Sequence, residues 1–102
     1  MQIAIPQINF DQAKESITNK EASVIDIRDE LSYETAHIPG ATLITKPEDM
    51  EAFLKKTPKE QMIICYCYHG NSSQSVVKYL NDLGYKKAVS LRGGFEGWMH
   101  GG

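Results

Sequence analysis

A chain of 102 residues, 41% apolar and 24% charged, is long enough to bury one core and too short to divide into two, so residues 1–102 are expected to form a single domain. A net charge of −2 without a Lys/Arg-rich stripe excludes a general attraction for nucleic acid, and the longest apolar stretch, Met62 to Tyr68, is too short to cross a bilayer. Met1 to Gln7 lack the basic and apolar regions of a signal peptide, which makes the cytoplasm the expected location, with no membrane partner.

Gln7 to Phe10 reads as an extended entry to a short helix carrying Ala13 and Ile17, with Asp11 as its N-cap. Ser23 to Arg28 is short and β-branched, the pattern of a buried strand. A helical segment from Glu30 to Ala36 follows, and Pro39-Gly40 turns the chain into a second short strand, Ala41 to Ile44. Pro47 suits the first turn of a helix running to Lys55, with an apolar face of Met50, Phe53 and Leu54 and acidic Glu48, Asp49 and Glu51 near its start. Gln61 to Tyr66 is the strongest strand pattern of the chain. Beyond it, Ser72 or Ser73 caps a helix with Val76, Val77, Leu80 and Leu83 at helical spacing, closed by Gly84. Ala88 to Leu91 forms a further strand, and Gly93-Gly94 opens a last helix holding Phe95 and Trp98, the latter a plug against the core. Strands alternating with helices predict an α/β domain, a mostly parallel central sheet with helices on both faces.

Cys65 and Cys67 are the only cysteines. Separated by a single residue, they cannot staple a fold, and Cys-x-Cys without a second ligand pair does not make a zinc site. No metal and no cofactor are expected. Cys67 stands instead where a buried strand gives way to a tight loop with Gly70 and then to a helix start. Open α/β sheets bind ligands at such strand ends. Gly70 lets successive amides turn inward as an anion nest, and the helix N-terminus adds unpaired N–H groups and the positive end of its dipole. Both favour thiolate over thiol and can lower a cysteine pKa from about 8.5 by one or more units. Cys67 is therefore the expected nucleophile. Cys65, two residues back and deeper in the strand, is expected to pack in the core, the alternative being a resolving partner for an oxidised Cys67.

Four motifs resemble those of the rhodanese family, most closely its short single-domain members of the GlpE type, over nearly the whole chain. Val24-Ile25-Asp26-Ile27-Arg28 resembles the early strand motif. Ala36-His37-Ile38-Pro39-Gly40-Ala41 is similar to the His-Ile-Pro-Gly-Ala motif, with Ala36 where Gly is commoner. Cys67-Tyr68-His69-Gly70-Asn71-Ser72-Ser73 resembles the active-site loop, and Gly93-Gly94-Phe95-Glu96-Gly97-Trp98 the closing motif. The resemblance implies a single rhodanese-like domain with thiosulfate sulfurtransferase activity through a Cys67 persulfide. It also implies ping-pong kinetics and an acceptor such as cyanide, a dithiol or reduced thioredoxin. The amides of Tyr68, His69, Gly70, Asn71, Ser72 and Ser73 would bind the transferred sulfur, helped by the hydroxyls of Ser72 and Ser73. Some thiosulfate-specific relatives carry Arg and Lys where Tyr68 and His69 stand, which implies weaker binding of a doubly negative donor here.

Arg92, beside the closing motif, is expected to approach the loop and supply some positive charge. Asp26 and Arg28 are expected to hydrogen-bond and brace a neighbouring loop without touching substrate. His37 is expected to shape the turn at Pro39, and the His69 side chain to face solvent. Two rival functions use the same thiol. A Cys-loop phosphatase or arsenate reductase would need a longer loop closed by an Arg, which the loop ending in Ser72-Ser73 lacks. A sulfur-carrier or redox module would share the persulfide but turn over little. Its small size leaves little room for substrate-enclosing domains, so the site is expected to be shallow and open to a protein acceptor; a monomer or weak dimer is expected.

Overall fold

In the computed structural model, which describes residues 4–101, strands and helices alternate along the chain. They are β1 (Gln7–Ile8), α1 (Phe10–Thr18), β2 (Ala22–Asp26), α2 (Glu30–Thr35), β3 (Thr42–Leu43), α3 (Pro47–Lys55), β4 (Met62–Tyr66), α4 (Ser72–Asp82), β5 (Ala88–Leu91) and α5 (Gly94–Met99). The strands form one parallel sheet in the order β1-β5-β4-β2-β3. Of Met1 to Gln7, expected to lack a leader, Met1 to Ile3 lie outside the described residues. Among the described residues no helix is long and apolar enough to cross a membrane.

Alternation along the strands divides the core between two faces. Val24, Ile64, Tyr66 and Leu91 meet Ala13 of α1 and Phe95 of α5 on one side, joined by the half-buried Trp98. Ile25, Ile63, Cys65 and Ala88 meet Phe53 of α3 and Val77 and Leu80 of α4 on the other. Helices therefore cover both faces, and β4 at the centre is buried on both sides, as its unbroken apolar run requires.

Four local expectations change. The cap of α1 is Asn9, not Asp11: Asn9 Oδ1 accepts the Gln12 amide at 2.8 Å and Gln12 Oε1 accepts the Asn9 amide at 3.3 Å. This reciprocal pair satisfies two otherwise orphaned donors and leaves Asp11 in the first turn. β2 stops at Asp26, two residues before Arg28, because the Asp26 carboxylate accepts the Arg28 amide at 2.9 Å and pulls the backbone into a turn. The residue preceding α4 is Asn71, with Ser72 and Ser73 already inside the helix, and the Asn71 side chain makes no capping bond. Leu83, at helical spacing with the core residues, is the C-cap of α4, past its last turn, and is 41% exposed.

The connections set where a site forms. From β2 the chain moves outward through α2 to β3, whereas from β4 it moves the opposite way through α4 to β5. The carboxyl ends of the adjacent strands β2 and β4 thus form the topological switch point, the crevice where parallel sheets hold ligands. Asp26 and Tyr66 pair in register there, and Cys67 follows at once.

Candidate active site

Cys67 lies one residue past the end of β4, only 8% exposed. Its Sγ accepts the Gly70 amide at 3.1 Å and the Ser73 amide at 3.4 Å, and Ser73 Oγ stands 3.5 Å away. The Ser73 N–H is one of the orphan donors of the first turn of α4, so the sulfur does the work that the Asn71 side chain leaves undone. Burial opposes ionisation of Cys67, but the Ser73 hydroxyl, the Ser73 and Gly70 amides and the His69 amide outweigh it and hold the thiol below its ordinary pKa.

The loop keeps this shape because its outer side is anchored. Phe95 N–H donates to the Cys67 carbonyl at 2.9 Å and Glu96 N–H to the Tyr68 carbonyl at 3.0 Å. A trans peptide carries its C=O and N–H on opposite sides, so fixing these two carbonyls on α5 turns the Tyr68 and His69 amides toward the inside of the loop. Gly94 makes the approach possible. At φ +61°, a Cβ there would lie 2.6 Å from the Tyr68 carbonyl and 2.7 Å from that of Cys67. Gly70, at φ +96°, faces a similar restriction, with a Cβ 3.2 Å from the Leu91 carbonyl. Gln74 Nε2 closes the loop by donating to the Gly70 carbonyl at 2.9 Å.

A buried ionic network braces the same end of the sheet. Asp26, fully buried, receives Arg28 Nη2 at 2.7 Å, Arg28 Nε at 3.0 and 3.1 Å, and the Tyr66 hydroxyl at 2.6 Å. Arg28 also donates to the Ala36 carbonyl at 2.7 Å, and the Ile38 amide donates to the Tyr66 hydroxyl at 3.1 Å. The turn Ala36-His37-Ile38-Pro39-Gly40-Ala41 is thereby tied to β2 and β4. The Arg28 guanidinium lies 4.1 Å from the Phe95 ring centroid, so the brace continues to the residue whose amide holds the Cys67 carbonyl. Its charge is spent on Asp26 rather than offered to a substrate.

The remaining predicted site residues divide. Tyr68, 50% exposed, and the exposed His69 form the outer lip, and His69 Nδ1 is 3.5 Å from the Glu96 carboxylate. Ser72 and Asn71 are exposed and make no side-chain bond to the sulfur, whereas Ser73 is buried against it. Arg92 does not reach the loop: its exposed side chain donates to Gln7 Oε1 at 3.0 Å, toward the edge strand β1. The expectation of added positive charge fails because a nearer acceptor captures the guanidinium. His37 stacks on Tyr33 and shares a 2.7 Å contact with the Tyr33 carbonyl, a bond that holds the turn. Cys65 is fully buried, and burial, with the neighbouring Cys67 and Asp26 charges, pushes its thiol up. Two participants escape a reading of the sequence, Tyr66 and Ser90, whose Oγ is 2.6 Å from that of Ser73. A lone serine inside the apolar run Ala88 to Leu91 is the available signal for the second.

An α/β sheet with a cysteine cradled by amides at its switch point defines a class of protein built for thiolate or anion chemistry. The chain belongs to the rhodanese family: the model of the Rhodanese-like domain matches residues 9–100. It is 40% identical over 94 residues to a thiosulfate sulfurtransferase GlpE of Tolumonas auensis, covering 92% of this chain and 88% of that one. A thiosulfate sulfurtransferase GlpE of Coxiella burnetii is 39% identical over 92 residues, 90% and 85% of the two chains. Among solved structures, a rhodanese-related protein from Thermoplasma volcanium superposes with a TM-score of 0.79 at 26% identity, covering 95% of this chain and 93% of that one.

Proposed function

We propose that this chain is a thiosulfate sulfurtransferase in which Cys67 carries the sulfur. The observation that supports this reading best is the convergence of the Gly70 and Ser73 amides and the Ser73 hydroxyl on Cys67 Sγ, which favours a thiolate without a histidine base or a metal. The thiolate attacks the outer sulfur of thiosulfate, the sulfur–sulfur bond of the donor breaks, and sulfite leaves with the bonding pair. The product is Cys67–S–S⁻, whose terminal sulfur takes the inward amides of the loop as donors. An acceptor nucleophile, cyanide or a thiolate, then attacks that terminal sulfur and expels Cys67 as thiolate. The two half-reactions share no ternary complex, so the kinetics are ping-pong.

The lip of the site shapes the substrate preference. Tyr68, His69 and Glu96 bring little net positive charge, Arg28 is neutralised by Asp26, and Arg92 is bound at β1. Thiosulfate is therefore expected to bind weakly, and a small or protein-borne thiol such as reduced thioredoxin is an acceptable acceptor at an open lip. The absence of an arginine in the loop weighs against phosphate, which paired guanidinium bonds recognise.

Thiocyanate formation from thiosulfate and cyanide, measured beside phosphate release from an aryl phosphate, tests the assignment. Turnover in the first assay alone, with parallel double-reciprocal plots, supports it. Phosphate release without thiocyanate overturns it, and stoichiometric sulfur loading with negligible turnover identifies a sulfur carrier instead.

A further inference from the structure

Ser90 sits in β5 on the face shared with Ala88, opposite Cys65 in register, and is 1% exposed. Among the described residues the only hydrogen-bond partner of its Oγ is Ser73 Oγ at 2.6 Å, and Ser73 Oγ lies 3.5 Å from Cys67 Sγ. Sulfur and two hydroxyls thus form a line of three groups with two links and, among the described residues, no acceptor beyond Ser90.

Proton counting gives this line a preference. With Cys67 as a thiolate, two protons are present: Ser90 donates to Ser73, Ser73 donates to sulfur, and both are used. With Cys67 as a thiol there are three protons for two links, so either the S–H turns out of the line toward the lip or one buried hydroxyl stays unpaired, which is costly. Each hydroxyl proton also strengthens the next bond, because a hydroxyl that accepts donates better.

We propose that Ser90 is a positioning residue of the sulfur chemistry: by donating to Ser73 Oγ it directs the Ser73 hydroxyl proton onto Cys67 Sγ whenever that atom bears negative charge. In the proposed sulfurtransferase reading, on which this rests for its functional meaning, Cys67 Sγ is anionic twice, as nucleophile toward the donor and as leaving group toward the acceptor. Ser90 therefore serves both half-reactions without touching substrate.

The test is the pH profile of Cys67 alkylation by iodoacetamide, read by mass at Cys67, which needs no sulfur transfer. Ser90→Ala is expected to raise the midpoint by roughly half a pH unit. Ser90→Thr, which keeps the hydroxyl on a residue suited to a strand, restores the original midpoint. In a Ser73→Ala background Ser90→Ala shifts nothing further, because its effect passes through the Ser73 hydroxyl. An unchanged midpoint in Ser90→Ala, or an equal shift with Ser73 already removed, overturns the proposal. A shifted profile in a protein that never acquires sulfur from thiosulfate would leave Ser90 in this role and refute the sulfurtransferase reading instead.

Discussion

Cys65 and Cys67 are two residues apart and differ in almost everything that decides reactivity. Cys65 is inside β4, in the buried cluster that holds Ile25, Phe53 and Val77, and its thiol is driven toward the protonated form. Cys67 is just past the strand end, where the backbone no longer spends its amides on a neighbouring strand and the loop offers them to the sulfur. Cys65 is wholly buried whereas Cys67 keeps 8% of its surface exposed at the loop, and that small opening alone does not make a nucleophile. What separates them is whether polar groups outweigh the desolvation.

The sharpest way to break this contrast is to remove the brace behind the loop. Arg28→Ala strands the fully buried Asp26 carboxylate without its partner and frees the Ala36 carbonyl. A stability loss of about 3–5 kcal/mol is expected in urea unfolding. A loss below about 1 kcal/mol would mean that the network is dispensable.

Gly94→Ala attacks the aim of the amides more directly. The added methyl must push the Cys67 and Tyr68 carbonyls away from α5, rotating the peptides whose Tyr68 and His69 N–H groups turn toward the inside of the loop. Roughly a hundredfold loss in kcat/KM for thiosulfate is expected, as for other displacements near an ångström at reacting groups. Cys65 packs on the face of the sheet away from α5, so its alkylation in the folded protein should stay negligible.

A smaller effect distinguishes the two thiols by sign. The folded-state pKa of Cys67 is lowered, so its ionisation adds stability above the ordinary thiol value that is lost as pH falls through the folded value. The pKa of Cys65 is raised, so its contribution is present below the ordinary thiol value and is lost as pH rises toward the folded value. Unfolding free energies of Cys67→Ala and Cys65→Ala relative to the parent should therefore drift in opposite directions between neutral and alkaline pH. The slope reaches at most about 1.4 kcal/mol per pH unit, where the thiol is ionised in only one of the folded and unfolded states. Parallel drifts in urea unfolding across that range would contradict the contrast.

The sequence makes the elements easy to read where local chemistry alone decides them. Pro47 and the acidic residues behind it mark α3 at its observed ends, and the β-branched and apolar runs mark β2, β4 and β5 to within two residues. The strand–cysteine–glycine–helix order is enough to single out Cys67. Choices among near-equivalent neighbours are harder: Asn9 and Asp11 are both good caps, and only the reply from Gln12 selects Asn9. The parts of the site that are not legible depend on long-range partners. Tyr66 matters through residues forty and twenty-eight positions away, and Ser90 through one seventeen away. Arg92 misleads for the same reason, since Gln7, eighty-five positions earlier, lies beside it only after β1 pairs with β5.

These surroundings should make Cys67 and not Cys65 the sulfur carrier. Site-resolved mass measurement after thiosulfate treatment tests it most directly. A gain of one sulfur atom is expected on the peptide at Cys67, abolished in Cys67→Ser and retained in Cys65→Ala. Sulfur on Cys65, or no adduct on a folded protein under these conditions, would contradict it.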